Sequence, residues 1–177
     1  ASFDKGVSYT SSSLTGSVSV PDTVTEIETS AFEGCTGLDG SLSLSAQLKK
    51  IGKAAFSGCS GLKGKLDIPS TVNLIGQNAF EGCSGFTGDL NLPNGLTAVN
   101  YEAFSDCSGF TGELVIPSSV TTISNAAFMG CTGLTSLTLN GSLKTLSVRA
   151  FNNCTGLAQI TFLGNAPQTY AEAFSGV

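Results

Sequence analysis

One unit of roughly two dozen residues recurs along nearly the whole chain, and this repeat limits the folds that are open to it. An Ala-Phe pair marks each unit, and the intervals between successive phenylalanines are 24, 24, 24, 24, 23 and 23 residues. The phenylalanines are Phe32, Phe56, Phe80, Phe104, Phe128, Phe151 and Phe174. Such a period is typical of a solenoid, in which each unit buries its apolar face only against its neighbours. We therefore expect about seven stacked coils whose phenylalanines form a spine in the core.

A cysteine follows the phenylalanine by three residues in every unit but the last. The cysteines are Cys35, Cys59, Cys83, Cys107, Cys131 and Cys154. Because all six hold the same place in successive coils, they should stack in a row inside the core, whereas a disulfide needs converging Cβ atoms about 3.5–4.5 Å apart. We expect buried free thiols, with disulfide pairs and a metal site as the alternatives.

A short alternating run precedes each Ala-Phe pair and predicts one strand per coil. Because a whole coil separates one run from the next, the strands should be parallel and their apolar members should face the core. The runs cover residues 17–20, 41–44, 65–68, 89–92, 113–116, 136–139 and 159–162. A V-x-x-I segment follows each run, and its spacing fits a short extended or irregular stretch about as well as a helical one.

The Ala-Phe pair itself predicts one helical turn, because a phenylalanine and a cysteine three residues apart share a helical face. The glycine two residues after each cysteine, such as Gly61, is interpreted as the left-handed stop of that turn. In the 24-residue units a further glycine, such as Gly64 or Gly112, precedes the strand and predicts a small bulge at its entry.

Composition and charge exclude several classes of function. The formal net charge is −5, and the 8 basic residues are spread thinly, which disfavours nucleic acid and an anionic membrane surface. No apolar run approaches the ~20 residues that cross a bilayer, so we expect no membrane insertion by this segment. The chain has no histidine, so a Ser-His or Cys-His pair cannot form within it. No glycine-rich phosphate loop follows a strand, and we expect neither a cofactor nor an enzyme.

The repeat unit resembles the BspA-like leucine-rich repeats of bacterial cell-surface proteins. Two copies that carry the resemblance read GKLDIPSTVNLIGQNAFEGCSGF at 64–86 and GELVIPSSVTTISNAAFMGCTGL at 112–134. The resemblance implies an α/β fold, a right-handed leucine-rich-repeat solenoid or horseshoe with its parallel strands on the concave face and the AFxxC turns on the convex side. It also implies an extracellular or cell-surface location and adhesion to host matrix proteins or to other cells.

The chain is predicted to hold one domain. Residues 1–13 are a polar N-terminal leader or cap, with Ser8 and Ser11 where the phenylalanine and the cysteine would fall. Residues 14–177 are a single leucine-rich-repeat domain of about seven repeats, in a complete or a truncated array. We expect this domain to be a monomer.

In each predicted strand, the residues between the core positions point outward, onto the face that the resemblance makes concave. Hydroxyl side chains line both ends of this face. The candidate partner-binding residues cluster in its middle, and they are Lys65, Asp67, Asp89, Asn91 and Glu113. Any solvated sheet face is polar, so these positions are also consistent with plain surface residues. No aromatic residue occupies an outward strand position, which disfavours a glycosidase or a sugar-binding face.

Three functions remain open at this point. The first is a non-catalytic module that binds a protein ligand through the concave face. The second is a structural spacer that positions another domain and binds nothing itself. The third is an enzyme, against which the missing histidine and the missing aromatic cleft argue. The exposed aromatic candidates are Tyr9, Tyr101 and Tyr170, and Tyr101 stands outside the inward register.

Overall fold

The computed structural model of the chain describes residues 13–177, so most of the predicted leader, residues 1–13, lies outside the described residues. The coils carry short parallel strands that stack in two rows. Strand row A comprises β1 (Val18–Ser19), β3 (Leu42–Ser43), β7 (Gly112–Val115), β9 (Leu134–Leu139) and β11 (Gln159–Phe162). Strand row B comprises β2 (Glu26–Ile27), β4 (Lys50–Ile51), β5 (Leu74–Ile75), β6 (Ala98–Val99), β8 (Thr122–Ile123), β10 (Thr145–Leu146) and β12 (Gln168–Thr169).

Row A confirms the parallel arrangement but is interrupted in its middle. Strand β1 pairs with β3, and β7, β9 and β11 form a three-stranded sheet. The strands predicted at 65–68 and 89–92 do not form, and isolated bridges from Gly64 to Phe86 and from Gly88 to Phe110 stand in their place. Gly64 and Gly88 have left-handed φ angles of +81° and +79°, but Gly112 has +75° and begins the paired strand β7, so the left-handed glycine does not by itself explain the interruption.

The sheet is regular where the repeat is shorter. The two 23-residue intervals connect β7 to β9 and β9 to β11, and these strands pair over four residues each. The pairing of β7 with β9 shifts register between Gly112 and Glu113, so the bulge predicted at the strand entry is confirmed there.

Row B is formed by the V-x-x-I segments, which the spacing of three left ambiguous. Strands β2, β4 and β5 form one parallel sheet, and β6, β8, β10 and β12 form another. In all but β12 the second residue of the strand is buried, as for Ile51 and Val99. The V-x-x-I segments are therefore extended, and each coil presents two strand rows instead of the single one that was predicted.

The helical turn predicted at the Ala-Phe pair is wrong, since the described residues contain no helix. The Phe32 N–H donates to the carbonyl of Ala55 in the next coil at 2.7 Å, and the same bond recurs in the following coils, for example from Phe104 to Ala127 at 2.9 Å. The residue two places before each phenylalanine has a left-handed φ, such as +56° at Ser30 and +49° at Glu102. Left-handed residues end a helix, and the amides that a helix would use internally bond instead to the neighbouring coil.

The role assigned to the glycine after the cysteine also needs correction. Near the cysteine, the left-handed glycine is the one directly before it, such as Gly58 with a φ of +75°. The glycine two residues after the cysteine has another role, because a Cβ on Gly109 would overlap the carbonyl oxygen of Phe86 in the preceding coil. It is needed because two backbones approach closely there, and a left-handed conformation does not explain it.

The core runs along the stack as expected. The seven spine phenylalanines stack with ring centroids 5.1–5.6 Å apart and interplanar angles of 3–9°. Phe86 and Phe110 form a second stacked pair at 6.2 Å, edge-on to the rings of Phe80 and Phe104. Since the described part of the chain has no helix, it has none that is long and apolar enough to cross a membrane.

Candidate binding surface

Lys65, Asp67, Asp89 and Asn91 occupy the interrupted middle of row A, Glu113 lies on β7 at the edge of the interruption, and all five are exposed to solvent. The Lys65 Nζ lies 2.8 Å from Asp67 Oδ1, and these side chains retain 54% and 76% of their full exposure. The hydrogen bond and charge of Asp67, and more weakly the charge of Asp89, raise the pKa of Lys65. Lys65 therefore lies within the field of carboxylates from its own coil and from the next one. We call Lys65, Asp67, Asp89, Asn91 and Glu113 the row A patch.

The remaining charges of the row A patch contact the following coils. Asp89 Oδ1 lies 2.5 Å from the point where a Cβ on Gly112 would stand, so this carboxylate rests against the backbone of the next coil. Glu113 Oε1 accepts a 2.6 Å hydrogen bond from the Thr138 hydroxyl one coil further on. Sequence reasoning placed Thr138 on the outward face but did not foresee this bond, because it depends on side-chain conformation.

The backbone of the row A patch lacks the ladder that pairs the rest of the row. Around residues 65–68 and 89–92, the described inter-coil backbone bonds run from Thr87 N to Gly64 O and from Thr111 N to Gly88 O. The N–H and C=O groups within these two segments have no backbone partner in the neighbouring coils. Leu66 and Leu90 are buried, but Asp67 and Asn91 are exposed, and exposed strand-like backbone can form hydrogen bonds with a ligand.

The outward side chains in the rest of row A are uncharged. At its start the hydroxyls of Ser17 and Ser41 lie 3.3 Å apart, and Ser17 Oγ also accepts the Ser41 N–H at 3.0 Å. At its other end the outward residues are hydroxyl and amide side chains on β9 and β11. One apolar side chain, Val115, is 50% exposed beside the row A patch.

The six cysteines are buried free thiols, which confirms the prediction made from their common place in the repeat. Each thiol from Cys59 onward donates to the carbonyl of the phenylalanine in the preceding coil, for example Cys107 Sγ to Phe80 O at 3.0 Å. Burial raises the pKa of Cys59 and of Cys154 to about 12, and it also raises the pKa of Cys83, Cys107 and Cys131. Thiols of this kind are not nucleophiles at neutral pH. Among the described residues, no group of three or more Cys, Asp or Glu side chains is placed to hold a metal ion.

The comparisons with known proteins agree with this geometry. The model of the BspA type leucine rich repeat region matches residues 5–108 and 63–177 in six copies. The chain belongs to this family.

Among solved structures, this BspA-type repeat protein is similar to the leucine-rich repeat protein of T. pallidum. The two share 29% sequence identity over 86% of this chain and 72% of the other, with a TM-score of 0.77. The solenoid of parallel strands is therefore a leucine-rich-repeat solenoid, and its concave curvature at row A stays a prediction.

Two further structures match with 21% identity over 91% of this chain. They are a leucine-rich cell-surface protein of Faecalibacterium prausnitzii and a leucine-rich repeat protein of Bacteroides ovatus. They are covered over 70% and 64% of their lengths, with TM-scores of 0.45 and 0.36, which are too low to carry an argument about this chain. No curated protein matches the chain.

Proposed function

We propose that this chain is a non-catalytic protein-binding module of a bacterial cell-surface or secreted protein. Its ligand, a host matrix protein or another cell-surface protein, docks on the row A patch. The proposal rests on two departures from the repeat that occur at the same place, namely charged outward side chains and missing strand pairing. Lys65, Asp67 and Asp89 stand where the backbone ladder of row A is interrupted, and Glu113 stands on β7 at the edge of this interruption. Solenoids use their extended strand surfaces for binding in the same way.

The charge of the row A patch indicates which ligands fit it. Asp67, Asp89 and Glu113 place three carboxylates on adjacent coils against the single ammonium group of Lys65. Their field favours a ligand with a basic surface and repels nucleic acid. No aromatic side chain lies at the outward positions of the row A patch, so a stacking platform for sugars is missing. A protein with a basic, polar surface is the ligand class that fits.

The cell-surface location rests on membership of the BspA-type family and on the resemblance drawn from the repeat unit. Adhesion follows from the same source and is the specific form of binding that we propose. In this setting the row A patch faces the medium, where a partner on a host or another cell can reach it.

A spacer that binds nothing is the second candidate, and the ends of row A favour it. The Ser17 and Ser41 hydroxyls satisfy each other and a backbone amide, which leaves a plain hydrated surface. If the whole of row A behaved in this way, the solenoid would only set the distance between other parts of a longer protein.

Binding of the purified chain to immobilised matrix proteins and glycans, measured by biolayer interferometry, separates the two candidates. The decisive variant carries Asp67→Lys, Asp89→Lys and Glu113→Lys together. We expect saturable binding to a protein that this triple variant loses by at least about tenfold, because several favourable charge contacts become repulsive.

The matched control carries Glu26→Lys, Glu28→Lys and Glu33→Lys. These exposed carboxylates of the first described coil lie outside row A, and their change alters the net charge by the same amount. The control should bind as the parent does. Equal loss in both variants would mean a non-specific charge effect, and retained binding in the row A variant would exclude the row A patch. Folding of each variant is checked by circular dichroism.

A further inference from the structure

A second surface lies on the Ala-Phe turns, away from row A. A notch of about 230 Å³ opens there between the coils of Phe104, Phe128 and Phe151. Its walls and floor include Tyr101, Glu102, Ala126, Met129, Val148 and Arg149. None of these residues belongs to the row A patch, so the notch is a separate feature of the molecule.

The apolar residues of the notch are departures from the repeat. Met129 is the only methionine of the chain, and it directly follows a spine phenylalanine. Its equivalents in the other coils are Glu33, Ser57, Glu81, Ser105, Asn152 and Ser175. Tyr101 and Val148 share a position two residues before the alanine of the pair. The equivalents at that position are Thr29, Lys53, Gln77, Asn125 and Ala171.

A single apolar residue at a surface position is common, whereas a cluster of them is informative. Here three of the apolar departures come from three successive coils and meet in one notch. Their convergence is not explained by the core, since Tyr101 is 41% exposed and Met129 and Val148 are only partly buried.

The floor of the notch is open because of one small residue. Glu102, Ala126 and Arg149 occupy the same left-handed position in three successive coils, with φ angles of +49°, +54° and +57°. In the same coils, the ring centroids of Phe104 and Phe128 lie 5.6 Å apart, and those of Phe128 and Phe151 lie 5.1 Å apart. Two long side chains therefore flank a gap over Ala126 that is wide enough to admit one unbranched side chain.

The electrostatics of the notch favour a cation. Asn78 Nδ2 donates to Glu102 Oε2 and to Glu81 Oε2, at 2.8 Å each, so two carboxylates of adjacent coils are fixed side by side. The hydrogen bond and the charge of Glu102 raise the pKa of Tyr101, whose hydroxyl therefore lies near this carboxylate. On the far wall, Arg149 Nε already donates to Glu172 Oε2 at 2.5 Å. The charged residues that line the notch are Glu102 and Arg149, and Arg149 is already paired with Glu172, whereas Glu102 and the neighbouring Glu81 have only the neutral Asn78 amide between them.

We propose that the notch is a docking site for a cationic side chain, arginine or lysine, from an extended basic segment of a partner protein. The charged head lies against the Tyr101 ring and the Glu102 carboxylate, and its aliphatic stem packs on Met129 and Val148. A cation over an aromatic face and beside a carboxylate is stabilised by both. The proposal does not depend on the row A patch, which uses other residues.

The test is a titration of the ¹⁵N-labelled chain, followed by amide chemical shifts. The probes are N-acetyl-arginine methylamide, N-acetyl-lysine methylamide and the uncharged N-acetyl-norleucine methylamide. We expect saturable shifts at and around Ala126 and Gly130 with the two cationic probes, and at least about fivefold weaker binding of the norleucine probe. Comparison of the arginine and lysine probes identifies which cation the site prefers.

Variants of the walls complete the test. Glu102→Gln removes the charge but keeps the side-chain length, and we expect it to weaken binding of both cations about fivefold. Tyr101→Ser and, separately, Met129→Ser should each weaken binding severalfold, so a folding defect in one of them leaves the other. Glu26→Gln is the control and should change nothing. Equal binding of norleucine, shifts centred elsewhere, an unaffected Glu102→Gln variant or no saturable shift would each overturn the proposal.

Discussion

Raising the pH above about 9 should unfold this solenoid steeply, because its buried thiols resist ionisation in the folded state and not in the unfolded chain. Burial, and next the charge of neighbouring thiols, raises the pKa of Cys83, Cys107 and Cys131 well above the ordinary value of 9.0. Burial raises the pKa of Cys59 and Cys154 to about 12. A raised pKa of an acid stabilises the folded state fully below the unfolded value, and this contribution is lost as the pH rises toward the folded value.

The size of the effect follows from the number of thiols. Above pH 9.0 each of the five thiols is ionised in the unfolded chain and neutral in the folded one, which lowers the free energy of unfolding by ~1.4 kcal/mol per pH unit. Together they give a slope of about 7 kcal/mol per pH unit. Since a domain is stable by about 5–15 kcal/mol, the folded state should be lost within about 1–2 pH units.

The assay is urea denaturation at several pH values between about 8 and 10, followed by circular dichroism and by thiolate absorbance in the ultraviolet. The two signals should change together. A Cys83→Ala, Cys107→Ala double variant tests the cause, because removing two thiols should lower the slope by about 3 kcal/mol per pH unit. The reasoning is refuted if thiolates form while the circular dichroism stays native, or if the double variant has the parent slope.

Three further substitutions test the fold, each by urea denaturation at neutral pH. Phe104→Ala should lower the free energy of unfolding by about 3–5 kcal/mol, because it empties one step of the stacked spine, and a loss below about 1 kcal/mol would contradict the core assignment. Gly109→Ala should lower the free energy of unfolding by at least as much as Phe104→Ala, because its Cβ would overlap the Phe86 carbonyl oxygen. An almost unchanged free energy of unfolding would disprove the close approach of the two coils. Asn140→Ala should cost about 2–3 kcal/mol, because Nδ2 satisfies two carbonyls and Oδ1 one amide in a buried place, and an unchanged stability would show that water replaces them.

The sequence was most informative where the same residue recurs in every coil. The period of the Ala-Phe pairs is sufficient to predict the phenylalanine spine, the row of thiols and the parallel stacking, because a position that repeats in a solenoid has the same neighbours each time. The exposure of Lys65 and Asp89 followed from strand alternation in the same way. The use of the row A patch for binding stays a prediction.

Local conformation was harder to predict than register. A phenylalanine and a cysteine three residues apart share one side of a helix, but they also share one side of a tight turn that bonds to the next coil. The left-handed φ of residues such as Ser30 and Glu102 favours the tight turn over the helix. Serine and glutamate are not typical of that conformation, so the sequence did not indicate it. The V-x-x-I segments also have a three-residue spacing, which fits a helical and an extended stretch equally well, so the strands of row B could not be predicted from it.

The notch shows a different limit. Tyr101 could be singled out as an aromatic outside the inward register, but nothing local connects it to Met129 or Val148. The connection exists only through the stacking of coils, which places residues about 24 apart in sequence side by side. An alignment of the repeat units on their Ala-Phe pairs supplies the missing signal, because it displays all three residues as departures from polar positions.

Residues that repeat build a solenoid, and residues that depart from the repeat can differ without harm to the fold. Both surfaces proposed for this chain consist of such departures: charges in a row of hydroxyls, and apolar side chains in rows of polar ones. Because the row A patch and the notch share no residue, changes in the two should act independently on binding, with free energies that add. A spacer makes the opposite prediction, since it requires neither set. If the row A triple variant and Tyr101→Ser each leave every measured interaction unchanged, the departures have no binding role and the spacer is the better account.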